Sequence, residues 1–261
     1  MSTILQQRLA FAPWADPRTR RLPGTIPVTE AEWLLTDDAF AAQMALRDDL
    51  IATRPGRVHA LHEDARPAAA ELYRRIMRLL PDRGYDCGPA VRRPDGVLVL
   101  PDPQIPLMTL GRFVAEDLCL MIPGPDGRHV LGGAILCFPA GWSLSQKFMR
   151  PMMRIHRPVA SYTEDIGRRV QRLLDGLRPG PGLMRGTAHH SDAPLHHPLT
   201  EEQDRIPPDP APFIRVERQC LFRLPETGAV VFSIHTSVIR PEALDPDQRR
   251  ALRQFPIRHG T

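Results

Sequence analysis

Apolar residues recur at three- and four-residue steps in the first third of the chain, then at alternate positions or in unbroken runs from about residue 97 onward. A 3.6-residue period marks a helix and a two-residue period marks a strand, so the change divides a helical part from a sheet part. Over residues 30–50, Trp33, Leu34, Phe40, Met44 and Leu50 fall on helical spacing, and Thr36 with the two aspartates after it offers a cap for a second helix. Residues 67–80 put Leu72, Ile76 and Leu79 or Leu80 on one face and Arg74, Arg75 and Arg78 largely on the other, with Pro81 and Gly84 as the stop. Residues 97–100 and 117–122 read as strands. Pro123-Gly-Pro-Asp-Gly127 is a turn by composition and joins the second of these to the apolar run 130–138 as a hairpin. Gly132 and Gly133 inside that run weaken a strand and mark either a bulge packed under a helix or the close approach of another object, of which a flat cofactor is one.

Residues 162–177 return to helical spacing through Ile166, Val170, Leu173 and Leu174, with Ser161 as the cap and Gly176 and Pro179 as the stop. Residues 178–212 read as a loop holding two histidine pairs, His189-His190 and His196-His197. A second hairpin follows, 213–224 and 229–239, around the Pro225-Glu-Thr-Gly228 turn. In its first strand Arg215, Glu217, Gln219 and Leu221 share one face, and Ile214, Val216, Arg218, Cys220 and Phe222 share the other. A row of polar side chains there means a solvated outer face or a polar pocket. A short helix over 245–254 ends the pattern. Residues 1–30, rich in Pro and Arg, read as an arm wrapping the body with Phe11 and Trp14 as anchors. Two antiparallel hairpins with helices packed on one side make an α+β fold with a mostly antiparallel sheet. Residues 1–95 form an arm and a helical extension packed on a core of residues 96–261, in one continuous domain.

Composition narrows the function classes. No apolar stretch approaches the roughly 18 residues that cross a bilayer, and the N-terminus lacks a basic start followed by a sustained apolar run, so the expected location is cytoplasmic and the expected partners exclude the membrane. The net charge of +4 comes almost wholly from arginine, since Lys147 is the single lysine. The arginines alternate with acidic residues and form no basic run, which argues against nucleic acid. Cys87, Cys119, Cys137 and Cys220 are far apart, without the spacing of a zinc site or a disulfide framework, and read as reduced residues, three of them in apolar strand-like contexts. The 29 prolines favour many short elements.

Several stretches then combine. Glu116-Asp-Leu-Cys-Leu120, Cys137-Phe-Pro-Ala-Gly-Trp142 with Lys147, Ile155-His-Arg-Pro-Val159, Arg215-Val-Glu-Arg-Gln219 and the Leu-Pro-Glu-Thr-Gly-Ala hairpin occur in that order. This succession resembles the haem-dependent oxidative N-demethylase family over most of the chain. The resemblance implies a PAS-like fold holding haem b against the antiparallel sheet. It also implies a monooxygenase-type oxidoreductase that demethylates a small secondary amine, dimethylamine, with O2 and releases formaldehyde. Its electrons would come from NADPH through a separate reductase with flavin and iron–sulfur components. The chain has no Gly-x-Gly-x-x-Gly and no iron–sulfur cysteine cluster, so it is not that reductase.

The resemblance assigns residues. His156 matches the family's Ile-His-x-Pro-Val segment as the metal ligand, and Arg157 beside it is restricted by Pro158. His235, and Cys137 as a thiolate, are the competing ligands. Glu217 is the catalytic candidate, a counter-charge for a buried ammonium, and a salt bridge to Arg215 or Arg218 is its structural alternative. Asp117 is a weaker acid candidate. Lys147, Arg150, Arg154 and Arg157 cluster near His156 and suit haem propionates. The chain departs from the family where Arg185-Gly-Thr-Ala-His-His-Ser-Asp192 carries Thr187-Ala188 in place of an Asn-Trp pair, and Gly141-Trp142-Ser143 lacks a basic residue. Two alternatives stand beside the demethylase: a non-catalytic haem-binding PAS-like sensor, and a non-haem metal protein using His189, His190, His196 and His197.

Overall fold

The computed structural model describes residues 3–20, 24–155, 163–198 and 208–257. Its strands are β1 (Ile26–Val28), β2 (His59–Leu61), β3 (Asp86–Cys87), β4 (Val91–Arg92), β5 (Leu98–Val99), β6 (Asp117–Pro123), β7 (His129–Ile135), β8 (Gly182–Ser191), β9 (Phe213–Arg223) and β10 (Val230–Ile239). The helices are α1 (Phe40–Thr53), α2 (Pro55–Val58), α3 (Arg66–Leu79), α4 (Pro106–Gly111), α5 (Leu144–Lys147), α6 (Met152–Ile155), α7 (Glu164–Gly176) and α8 (Pro246–Gln254). Seven strands form one sheet in the order β1-β8-β9-β10-β6-β7-β2, and β3, β4 and β5 form a small second sheet. The pairings between named strands are antiparallel, as the two hairpins require. Strands from residues 26–28 and 59–61 close the two ends of the large sheet.

Both hairpins fall where alternation and turn composition predict them. In the first, Leu120 pairs with Gly133 and Met121 with Leu131, so Gly132 is the extra residue of a bulge. A Cβ on Gly132 would lie 2.6 Å from Ile122, and one on Gly133 would lie 2.8 Å from Leu61, so the chain's own side chains fill that approach. The close contact that the glycines permit is therefore internal packing, and a cofactor does not need to occupy it.

Helices cover both faces of the sheet, which corrects the expectation of helices on one side. One face carries Leu118, Leu120, Cys220, Phe222 and Val231, packed with Trp33 and with Ala69, Leu72 and Ile76 of α3. The other carries Cys119, Met121, Leu131, Ala134 and Val230, packed with Leu144 of α5 and Leu174 of α7. An apolar helix stripe specifies that a helix is buried but not against which side of a sheet; the bridges Val130–Pro151 and Leu131–Phe148, which tie the α5–α6 segment along β7, decide it. Thr163 caps α7 by accepting from the Ile166 amide; the predicted cap Ser161 lies outside the described residues.

The arm behaves as expected. Trp14 is buried with Ile214, Val216 and Ile239, and its indole N–H donates to the Gln248 carbonyl at 2.9 Å. Phe11 lies on Gly186, where a Cβ would collide with its ring. Cys119, Cys137 and Cys220 are buried free thiols, whereas Cys87 is exposed.

Candidate functional site

Residues 182–191, expected to be loop, are strand β8, and this correction builds the site. In β8 Gly182, Met184, Gly186, Ala188 and His190 share one face, with Gly186 and Ala188 small where the arm lies on them, and Leu183, Arg185, Thr187, His189 and Ser191 share the other. Such a strand has no hydrophobic alternation to betray it. Register places Arg185 opposite Gln219, Thr187 opposite Glu217 and His189 opposite Arg215. Thr236 of β10 pairs with Glu217 and completes a polar field across three strands.

The field is tightly wired. Arg215 donates to Glu217 Oε1 from Nε at 3.1 Å and from Nη2 at 2.9 Å, and Gln219 donates to Glu217 Oε2 at 3.1 Å. Arg215 Nη2 also reaches the Phe138 carbonyl at 2.5 Å and the Thr236 hydroxyl at 3.3 Å. Glu217 is 8 % exposed; burial raises its carboxyl, but the Arg215 charge and these donors outweigh burial and hold it below the usual carboxylate range. Burial, seconded by Arg215, pulls His189 down to about 4, so this imidazole is neutral near pH 7. Arg185 differs from its neighbours, because its Nε is buried and meets no acceptor among the described residues. Burial, partly offset by Glu217, lowers the Arg185 guanidinium from its ordinary value.

Across β10 and β6 the same face becomes apolar, with Phe232, Cys119, Ala134 and Leu136 beneath Leu144, Met152 and Ile155. With strands about 4.8 Å apart, β9 and β7 are separated by about 14 Å, so the charged field and the α5–α6 segment flank this apolar floor. Lys147 is buried, with Nζ 2.5 Å from the Ile155 carbonyl and 4.8 Å from the centre of the Trp142 ring. Arg150 is exposed. His156 and Arg157 lie outside the described residues, although Lys147 grips the residue just before them. Lys147 and Arg150 thus share one segment, and Glu217 stands on the far side of the apolar floor.

The loop leaving β7 is fixed by a buried pair. Arg47 donates to Asp117 Oδ1 at 2.6 Å and to the carbonyls of Gly111 and Glu116 at 3.0 Å. Asp117 in turn accepts from the amides of Cys137 at 2.7 Å and Phe138 at 2.9 Å. Asp117 is therefore committed to structure. Cys137 is held as a thiol, pushed up to about 12 by burial. His235 does not approach Glu217: it pairs with Arg218 and projects from the opposite face. Its Nδ1 meets Glu116 at 3.2 Å and its Nε2 meets Asp37 at 3.1 Å, so both ring nitrogens face carboxylates, and the imidazole is raised to about 9 against the cost of burial. That arrangement is an ion-pair triad in which carboxylates occupy both ring nitrogens.

The histidine pairs do not converge. His189 and His190, adjacent in β8, project from opposite faces. His196 Nδ1 contacts the Pro194 carbonyl and His197 Nδ1 the Cys137 carbonyl, each at 2.8 Å. Among the described residues no group of three or more His, Cys, Asp or Glu side chains is placed to hold a metal ion, and no helix is long and apolar enough to cross a membrane.

Of the polar field, the sequence pattern singled out Glu217 with its same-face neighbours Arg215 and Gln219; it missed the contribution of Arg185, Thr187 and His189 because β8 was not recognised as a strand. No curated protein matches the chain. Residues 90–255, which span every element from β4 to α8, match the family model described as haem-dependent oxidative N-demethylase, alpha subunit-like, and the chain belongs to that family.

Proposed function

We propose that this protein is a haem b-dependent oxidoreductase that demethylates a small N-methylated amine of the dimethylamine kind with O2, releasing formaldehyde. Family membership supports the haem dependence and the oxidative chemistry. The observation that carries the site is a sheet face that is apolar on β10, β6 and β7 and flanked by the α5–α6 segment with Lys147 and Arg150 on one side and by the charged field of β8 and β9 on the other, a division that suits a flat apolar group bearing carboxylates beside a polar substrate. The buried Nε of Arg185, which lacks an acceptor, adds to the fit. In this reading His156 would ligate the iron, and Lys147, Arg150 and Arg157 would hold the propionates. The antiparallel sheet with a ligand face suits a PAS-like fold. Bound haem would supply the activation of oxygen.

The chain's own residues would bind and orient the amine. Glu217, kept ionised by Arg215 and Gln219, offers negative charge inside a buried field and receives the substrate ammonium. Removing a cation from water costs several kcal/mol unless a counter-charge meets it, so this carboxylate sets which amines enter. Arg215 is a positioning residue: it fixes the Glu217 carboxylate and ties it through the Phe138 carbonyl to the loop that leaves β7. His189, neutral, adds no competing positive charge near pH 7. Electrons come from a separate cytoplasmic reductase that draws on NADPH through flavin and iron–sulfur centres.

The test is formaldehyde release from dimethylamine with a reductant present, for the parent and for Glu217→Gln. The variant keeps the size and one acceptor oxygen but loses the charge, so kcat/KM falls roughly 30-fold or more while haem stays bound. Normal turnover by the variant would remove Glu217 from the role. Stable haem and O2 binding with no amine-dependent turnover in the parent would favour a sensor.

A further inference from the structure

Among the described residues the five buried arginines are each provided for. Arg47 meets Asp117, Arg75 meets Glu30, Arg93 meets Asp48 and Asp95, and Arg215 meets Glu217. Arg218 donates to the carbonyls of Trp33 at 2.9 Å and Glu32 at 2.7 Å. Arg185 has a buried Nε that finds no acceptor among the described residues, and it forms no ion pair there. It stands on the ligand face, in register with Gln219 and one pleat from the Thr187–Glu217 pair. The carboxylate in its neighbourhood, Glu217, is held by Arg215 and Gln219 and makes no hydrogen bond with Arg185. Arg185 is half-buried, so its guanidinium is partly withdrawn from water with no counter-ion bonded to it, and a guanidinium fork matches a carboxylate with two parallel hydrogen bonds.

We propose that Arg185 binds a carboxylate brought by the ligand of this face. The inference rests on the haem-dependent reading above and deepens it. Two molecules can supply that group. One is the porphyrin, through a propionate. The other is the substrate, in which case the substrate class is an N-methylated amino acid rather than a bare amine, with Glu217 taking its ammonium end and Arg185 its carboxylate end. Thr187, opposite Glu217 in register, then lies between the two charged groups.

The experiment compares carboxylate with its neutral counterpart for each source, in the parent and in Arg185→Met. Haem and haem dimethyl ester are titrated spectrophotometrically, and N-methylglycine and dimethylamine are titrated calorimetrically against haem-loaded and haem-free protein. One charge-assisted pair at Arg185 predicts about a tenfold or larger loss of preference for the carboxylate form on going from the parent to the variant. A preference for haem over its ester that Arg185→Met reduces to that extent assigns Arg185 to a propionate, and a preference for N-methylglycine over dimethylamine that the variant loses assigns it to the substrate. A parent with neither preference, or a variant that keeps them, overturns the proposal. Should Arg185→Met fail to give the parental circular dichroism spectrum, Arg185→Gln takes its place, and the parental preferences still decide. If neither porphyrin binds at all, the haem reading fails separately, and the N-methylglycine titration alone judges Arg185.

Discussion

The His235 triad makes stability depend on pH in a direction opposite to that of an ordinary buried histidine. His235 is 3 % exposed and lies between Glu116 and Asp37, with its pKa raised to about 9. An unfolded histidine titrates near about 6.5. Since the native value is the higher one, the native state holds the proton more tightly. The stabilisation is fully present below pH ~6.5 and is lost as pH rises through about 9. At about 1.4 kcal/mol per pH unit, this window is worth roughly 3 kcal/mol, a large share of the 5–15 kcal/mol typical of a folded domain. Replacing His235 by Gln keeps a neutral donor of similar reach but removes the titration. Urea unfolding of parent and variant at pH 6 and pH 9.5, at one ionic strength, measures the difference directly. The parent should lose roughly 3 kcal/mol more than His235→Gln over that range. Equal losses in the two proteins would show that the imidazole is not held as a cation between these carboxylates.

Other perturbations test the frame around the site. Arg47→Met leaves Asp117 buried without its cation, so unfolding free energy should fall by about 3–5 kcal/mol, and amide exchange at Cys137 and Phe138 should quicken, because Asp117 holds both. Trp33→Phe removes the buried 2.7 Å bond from the indole to Ser233 while keeping the aromatic contact with Phe222, and should cost about 1–2 kcal/mol by thermal or chemical unfolding. Trp14→Ala should free the arm from α8 and cost about 3–5 kcal/mol, with faster proteolysis within residues 3–20; unchanged cleavage there would show that the arm is held by other contacts.

The hairpins were legible because each pairs an alternating or unbroken apolar run with a turn of Pro, Gly, Asp or Thr. Pro123-Gly-Pro-Asp-Gly127 and Pro225-Glu-Thr-Gly228 fix both registers, and the helices at α3, α7 and α8 carry their own caps or stops. Glu217 and Arg215 could be seen as partners from their spacing, two residues apart on one face of a strand. β8 was illegible for a physical reason: past Leu183 and Met184 its covered face carries Gly186 and Ala188 so that the arm can approach, and its other face belongs to the polar field. Neither face presents the hydrophobic alternation by which strands are found. Arg185 stood out only as the start of the stretch that departs from the family, and its place in the polar field was hidden with the strand. The side of the sheet on which α7 packs was equally silent, since Val170, Leu173 and Leu174 would bury as well on either face. Both competing ligands depended on long-range contacts: Asp37 and Glu116 converge on His235 from distant segments, and the depth at which Cys137 lies follows from the fold rather than from its neighbours in sequence.

The most direct test of the account is the absorption spectrum of the protein saturated with haem b, recorded beside that of His156→Ala. The account predicts a Soret band in the parent and its loss or displacement in the variant, whose far-ultraviolet circular dichroism stays parental. A parent without a Soret band after reconstitution, or a variant with an unchanged one, would contradict it.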